Sequence, residues 1–142
     1  MRAVVADAGL DGTIVCDSAG TGGWHVGDRP DDRARAEARR RGIDMDHRGR
    51  QVRRPDDLRP HDLVLAMDHA NLADLFAMAP PEWPDGRIRL LRDFDPSSPA
   101  GAEVPDPYYG GVDGFADVYD ICVAACTGLL AHLTTAPPEL EP

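Results

Sequence analysis

The densest chemistry in this 142-residue chain lies in Asp106-Pro107-Tyr108-Tyr109-Gly110-Gly111. A proline after Asp106 biases the aspartate away from helix and stiffens the local backbone. Two adjacent aromatics on a rigid loop make a poor core but a good pocket wall. An acid beside such a wall can donate a proton to a leaving phenolate. The plainer alternative is a turn packed on the surface. A second segment, residues 17–27 (DSAGTGGWHVG), follows a β-branched run. That is where open α/β sheets hold their ligands. Its small residues let backbone approach backbone, and Trp24 either presents a large flat face or plugs the edge of the core. The segment matches neither GxGxxG nor the P-loop, so phosphate binding does not follow from it alone.

The elements that must position these residues alternate between strand and helix. Residues 1–10 read as the last turns of a helix closed by Gly9 and Gly12. Thr13–Cys16 is a β-branched run predicted as a buried strand. Asp28 is a candidate N-cap and Pro30 a candidate first residue of an arginine-rich helix that stops at Gly42. Arg39, Arg40 and Arg41 suit the carboxyl end of its dipole as surface charge. Residues 44–60 read as loop, with one turn at 55–58. Leu63–Met67 has the continuous apolar character of a central parallel strand. A helix carrying Leu72, Leu75 and Phe76 follows, ended by Pro80 and Pro81. Ile88–Leu91 is a third strand. After a long loop, Phe115, Val118, Ile121, Cys122, Ala125, Leu129 and Leu133 recur at helical spacing over residues 115–133. Alternation of this kind predicts an α/β domain with a parallel sheet over residues 1–133, followed by a flexible tail at 134–142.

Composition narrows the function. Fifteen arginines and no lysine stand against 25 acidic residues, giving a net charge of −10. That charge argues against binding nucleic acid or an anionic membrane surface. The apolar runs are short, so no bilayer-spanning segment is expected. Three cysteines without metal-pair spacing suit a reducing cytoplasm and core packing, with Cys16 buried in its strand. His25, His61, His69 and His132 read as loop or surface positions.

Four segments taken in order carry a resemblance: residues 17–27 (DSAGTGGWHVG), 46–52 (DHRGRQV), 65–75 (LAMDHANLADL) and 104–111 (VPDPYYGG). Together they resemble the low-molecular-weight protein-tyrosine phosphatase family. The resemblance implies a small doubly wound (Rossmann-like) α/β fold, with helices on both faces of a four-stranded parallel sheet. It implies metal-free, cofactor-free hydrolysis of phosphotyrosine on protein substrates through a cysteinyl-phosphate. By position, Asp106 would be the general acid that protonates the leaving tyrosine and then activates water. Tyr108 and Tyr109 would form one pocket wall and Trp24 the opposite one. Ser18 and His47 would support the phosphate loop from behind, and Asp68 would belong to the same supporting group. Asp113 and Asp117 lie near Asp106 in sequence, but the resemblance implies no metal.

The chain departs from that pattern at one place. The family's Cys-x5-Arg loop supplies a thiolate nucleophile, backbone N–H groups and an arginine clamp for the phosphate. Six residues after Cys16, Cys122 and Cys126 stand Gly22, Gly128 and His132, and none is arginine. The expectation is that the first strand, interior to the family's sheet, and the nucleophile loop are absent from this chain. The chain as given would then be inactive and marginally stable, with open strand edges. Two alternatives are a non-catalytic protein-binding module and an arsenate reductase of the same fold. The latter needs further cysteines, and residues 62–100 contain none. Oligomeric state is left open.

Overall fold

The computed structural model describes residues 1–135. It contains helices α1 (Arg2–Asp7), α2 (Asp32–Arg40), α3 (Pro55–Leu58), α4 (His69–Met78) and α5 (Val112–Thr135), and strands β1 (Val64–Ala66) and β2 (Ile88–Leu90). The strands pair in parallel, with Val64 opposite Ile88, Leu65 opposite Arg89 and Ala66 opposite Leu90. The fold is α/β, with a small parallel sheet between helices.

The alternation of side chains along β1 decides what covers each face. Val64 and Ala66 point with Ile88 and Leu90 into one apolar cluster, completed by Leu75 of α4, Leu58 of α3 and Val52. Leu63 and Leu65 point the other way, toward Leu91, Phe94, Val104 and the α5 residues Ala125, Cys126 and Leu129. Helices α1 and α2 both pack against α5. By length and composition α5 could cross a membrane, contrary to the short apolar runs expected. Its Phe115, Ala125, Cys126 and Leu129 are nevertheless core residues of this domain.

Several local expectations are corrected. Thr13–Cys16 forms no strand: Val15 is 89% exposed, and the segment's tie to α1 is the Arg2 guanidinium on the Cys16 carbonyl at 2.9 and 3.1 Å. A β-branched run becomes a strand only beside a partner, and among the described residues none pairs with it. Cys16 is accordingly half-exposed, not buried. Further on, among the described residues, there is one isolated parallel bridge, Gly20 to Gln51. Helix α2 is capped by Asp31, whose carboxylate accepts the Arg33 N–H at 2.8 Å, so it starts later than Asp28 or Pro30 would place it. It ends as expected at Gly42, where φ is +76° and a side chain would be strained. Arg40 and Arg41 are more than surface charge. Both bind the buried Glu37, at 2.7 and 2.8 Å, and Arg41 reaches Asp120 of α5 at 2.6 Å. A buried carboxylate is tolerable only with such partners. Leu91 leaves the strand register and opens a 3-10 turn, Leu91–Phe94. Helix α5 runs through Thr134 and Thr135, beyond the expected start of the tail, and the rest of that tail lies outside the described residues.

Candidate functional site

The site assembles at the carboxyl end of β1. Immediately after that strand, the Met67 carbonyl accepts the Val104 N–H at 2.8 Å. This pins the start of the 104–111 loop to the strand's end. Asp68, the next residue, caps α4 by accepting the Asn71 N–H at 2.7 Å. The Glu103 carboxylate accepts the His69 N–H at 2.8 Å, and the His69 ring contacts the Gly101 carbonyl at 2.9 Å. The long loop before α5 is thus tied to the first turn of α4 at several points.

Beyond Val104 the loop holds Asp106 at its exposed tip. One Asp106 carboxylate oxygen accepts the Tyr108 N–H at 3.0 Å. This is the two-residue turn that aspartate favours, and Pro107 stiffens it. Tyr108 and Tyr109 meet edge to face with ring centres 4.9 Å apart. Tyr108 is half exposed and Tyr109 is 92% exposed. The expected grouping of an acid with an aromatic wall is present, and its rings face solvent.

The 17–27 and 46–52 segments each contribute one further group. Ser18 and His47, both exposed, line a shallow hollow of about 260 Å³ with Gly20, Arg48, Gly49 and Arg50. Arg50 holds its floor, donating to the Ser18 carbonyl at 3.1 Å and pairing with Asp17. Gly49 is required here, because a Cβ would lie 2.2 Å from the His25 carbonyl oxygen. Asp68 joins this side through α4: the Asn71 amide it helps position donates to the Thr21 hydroxyl at 3.2 Å. Ser18 and His47 are therefore brought together, and Asp68 reaches the same segment indirectly.

Trp24 neither plugs the core nor meets the tyrosine pair. It is 86% exposed, folded over the Gly22 backbone so closely that a Cβ there would lie 1.7 Å from the ring. Among the described residues it stacks on no other aromatic ring. The remaining cysteines sit in α5, with Cys126 buried and Cys122 half-buried. Burial pushes the Cys122 thiol up, with the neighbouring Cys126 adding to the effect, which suits packing and not nucleophilic attack.

One residue escaped the sequence reading. Arg33, in the first turn of α2, forks onto both oxygens of Asp31 at 3.0 and 2.9 Å. The same guanidinium donates to the Tyr108 carbonyl at 3.2 Å. It also lies 4.7 Å from the Phe115 ring centre and 5.5 Å from that of Tyr108. An arginine two residues after a capping aspartate is unremarkable in sequence, and no spacing links it to a loop 75 positions away.

A parallel sheet with an acid-bearing loop anchored at its carboxyl edge is the layout of an α/β domain whose ligand lies beyond the strand ends. Residues 1–137 match the family described as low molecular weight phosphotyrosine protein phosphatase, and the chain belongs to that family. A low molecular weight protein-tyrosine-phosphatase of Streptomyces coelicolor is 47% identical over 131 residues, 92% of this chain and 79% of the relative. The crystal structure of a protein tyrosine phosphatase from Entamoeba histolytica superposes with a TM-score of 0.86 at 35% identity, covering 94% of this chain and 83% of that one. The structure of YfkJ from Bacillus subtilis gives 0.81 at 37% identity, covering 94% and 81%.

Proposed function

We propose that this domain supplies the general acid, the aromatic walls and the loop support of a site that hydrolyses phosphotyrosine on protein substrates. The observation that carries this reading is Asp106, held at the loop tip beside the exposed Tyr108–Tyr109 pair at the carboxyl end of β1. In the reaction, a cysteine thiolate attacks phosphorus while Asp106 delivers its proton to the departing tyrosine oxygen. Asp106, now a carboxylate, then takes a proton from the water that hydrolyses the cysteinyl-phosphate. The proton removed in the second half restores the acid for the next cycle. Tyr108 and Tyr109 flank the aryl ring from one side and Trp24 from the other. Ser18 and His47, with Asp68 acting through Asn71, hold the phosphate-binding loop in shape.

None of the three cysteines is followed by arginine six residues on, so the nucleophile of this reaction is not among the 142 residues. On this reading, the 142-residue chain is inactive by itself. Among the described residues, β1 pairs with β2 alone and the 14–16 segment pairs with no strand. A strand leading into a Cys-x5-Arg loop would complete both, with Ser18 and His47 beneath it. A cytoplasmic setting fits three free cysteines and a thiolate mechanism.

The test compares two purified proteins on p-nitrophenyl phosphate: the 142-residue chain, and the chain extended upstream in frame through a Cys-x5-Arg loop. Turnover by the extended protein alone supports the reading. Turnover by the 142-residue chain would overturn the account of the nucleophile. If the frame encodes no such loop and the chain is folded and inactive, the protein-binding role replaces the catalytic one.

A further inference from the structure

The geometry points to Arg33 as the positioning residue of the acid loop: a fixed post in α2 that holds Asp106 and the tyrosine wall in register through the Tyr108 backbone. The inference deepens the proposed acid role of Asp106 and rests on that reading for its catalytic meaning.

Three observations carry it. First, the guanidinium is immobilised from behind. Both oxygens of Asp31 take its Nε and Nη2, and the Asp31 carboxylate is itself held as the cap of α2 by the Arg33 N–H. A planar fork on a carboxylate fixes direction as well as distance, which an ammonium does not. The Arg33 hydrogen bond holds the Asp31 carboxyl below its usual range, and the same pair raises Arg33. Second, the plane of the arginine lies near two aromatic rings, the buried Phe115 of α5 and the exposed Tyr108. Cations over aromatic faces are attracted by the ring quadrupole, so Arg33 joins α2, α5 and the loop at one point. Third, the loop has little else to hold it. Among the described residues, Arg33 makes the one hydrogen bond that leaves 105–111 for any element other than α5. The loop's other hydrogen bonds are local: Tyr108 N–H to Asp106, Gly110 N–H to the Pro107 carbonyl, and the Gly114 N–H to the Gly111 carbonyl at the start of α5.

The chain of contacts runs in one direction. Arg33 donates to the Tyr108 carbonyl, and the N–H of the same residue donates to Asp106. Moving the Tyr108 backbone, whose two flanking peptides carry these bonds, therefore moves the carboxylate and the aromatic wall together. Misplacement of a catalytic group by about 1 Å is enough to cost on the order of 100-fold in rate. Arg33 bonds Asp31 and the Tyr108 carbonyl and not the Asp106 carboxylate, so it acts on catalysis through Tyr108 as a positioning residue.

Hydrogen–deuterium exchange on the 142-residue chain tests this without turnover. Arg33→Met keeps the apolar stem and removes the donors and the charge. Arg33→Lys keeps the charge and removes the fork. The expected result is exchange at 105–111 faster by about 10-fold in Arg33→Met and by less in Arg33→Lys. The second half of α2 around Ala38, and α5 around Ala125, should stay as protected as in the parent. Unchanged exchange at 105–111 in both variants would overturn the inference. Equal loosening of the loop, α2 and α5 would overturn it too, because Arg33 would then be a general stability residue. In the upstream-extended protein, Arg33→Lys should lower kcat more for phenyl phosphate, whose leaving group needs the acid, than for p-nitrophenyl phosphate. Equal losses on the two substrates would contradict positioning of Asp106. Loss of the proposed function would show separately, as an Asp106→Asn variant that turns over normally.

Discussion

Replacing Gly128 by alanine probes how closely α5 seats on the 3-10 turn that follows β2. A Cβ at this position would lie 1.8 Å from the Phe94 carbonyl oxygen, 2.9 Å from the carbon that bears it, and 3.5 Å from Pro96 Cδ. The first two obstacles are backbone, so no rotamer change relieves them. To reach an ordinary contact, α5 and the turn must separate by roughly 1.5 Å, which loosens the packing around Ala125, Cys126 and Leu129. Overpacking of this kind costs about 1–3 kcal/mol, and a backbone obstacle belongs at the upper end. Alanine returns about 1 kcal/mol of helix propensity. The net is about 2 kcal/mol of destabilisation. For a chain of this size at roughly 4 °C per kcal/mol, Tm should fall by roughly 8 °C. Thermal unfolding followed by far-UV circular dichroism reads this directly. Gly114→Ala in the same helix is the control, because a Cβ there meets Pro107 Cβ at an ordinary 3.5 Å. It should be neutral or slightly stabilising. A Gly128→Ala protein as stable as its parent, or more so, would refute the close seating of α5.

Two further outcomes follow from the same structure. Asp68→Ala removes the α4 cap and should lower stability by about 1 kcal/mol, whereas Asp68→Asn should keep most of it; urea unfolding midpoints measure both, and an unmoved midpoint for alanine would contradict the capping role. Acid should destabilise the fold. Asp31 is held below its usual range by the Arg33 side chain, Asp57 by the Arg53 backbone N–H, and Asp95 by the Ser97 hydroxyl and N–H. A carboxyl whose pKa is depressed on folding adds stability that is fully present above its unfolded value, near 3.9, and is lost as pH falls through the folded value. Tm should therefore be level above about pH 5 and drop below about pH 4. Asp95→Asn should flatten part of that drop, and a Tm that rises on acidification would contradict the assignment.

The parts of the fold that could be read in advance are those decided by local pattern. Leu63–Met67 and Ile88–Leu91 announced β1 and β2 because strands covered on both faces are continuously apolar. The spacing from Phe115 to Leu133 announced α5 because its core residues recur with the helical period. Thr13–Cys16 failed for the complementary reason: β-branched residues favour a strand only where a neighbour accepts the ladder, and among the described residues none does. The start of α2 was misplaced because both Asp28 and Asp31 precede it, and only the geometry shows that it is Asp31 that accepts the Arg33 N–H. At the site, Asp106, Tyr108 and Tyr109 were legible as neighbours in sequence, and Ser18 with His47 through the family resemblance. Arg33, and the bridge from Arg41 to Asp120, were not, since each joins residues more than 70 positions apart and periodicity carries no information about such pairs. Trp24 left two readings open in sequence, a flat face or a plug of the core edge, and only its tertiary placement, 86% exposed, excludes the plug.

The central claim is that Asp106 is the proton donor to the leaving aryl oxide. Its most direct test is the steady-state hydrolysis of phenyl phosphate and p-nitrophenyl phosphate by the upstream-extended protein and its Asp106→Asn variant. The account predicts a fall in kcat of about 10²–10⁴ for phenyl phosphate, the range set by general acid catalysis, and a clearly smaller fall for p-nitrophenyl phosphate. An Asp106→Asn protein that hydrolyses phenyl phosphate at the parent rate would contradict it.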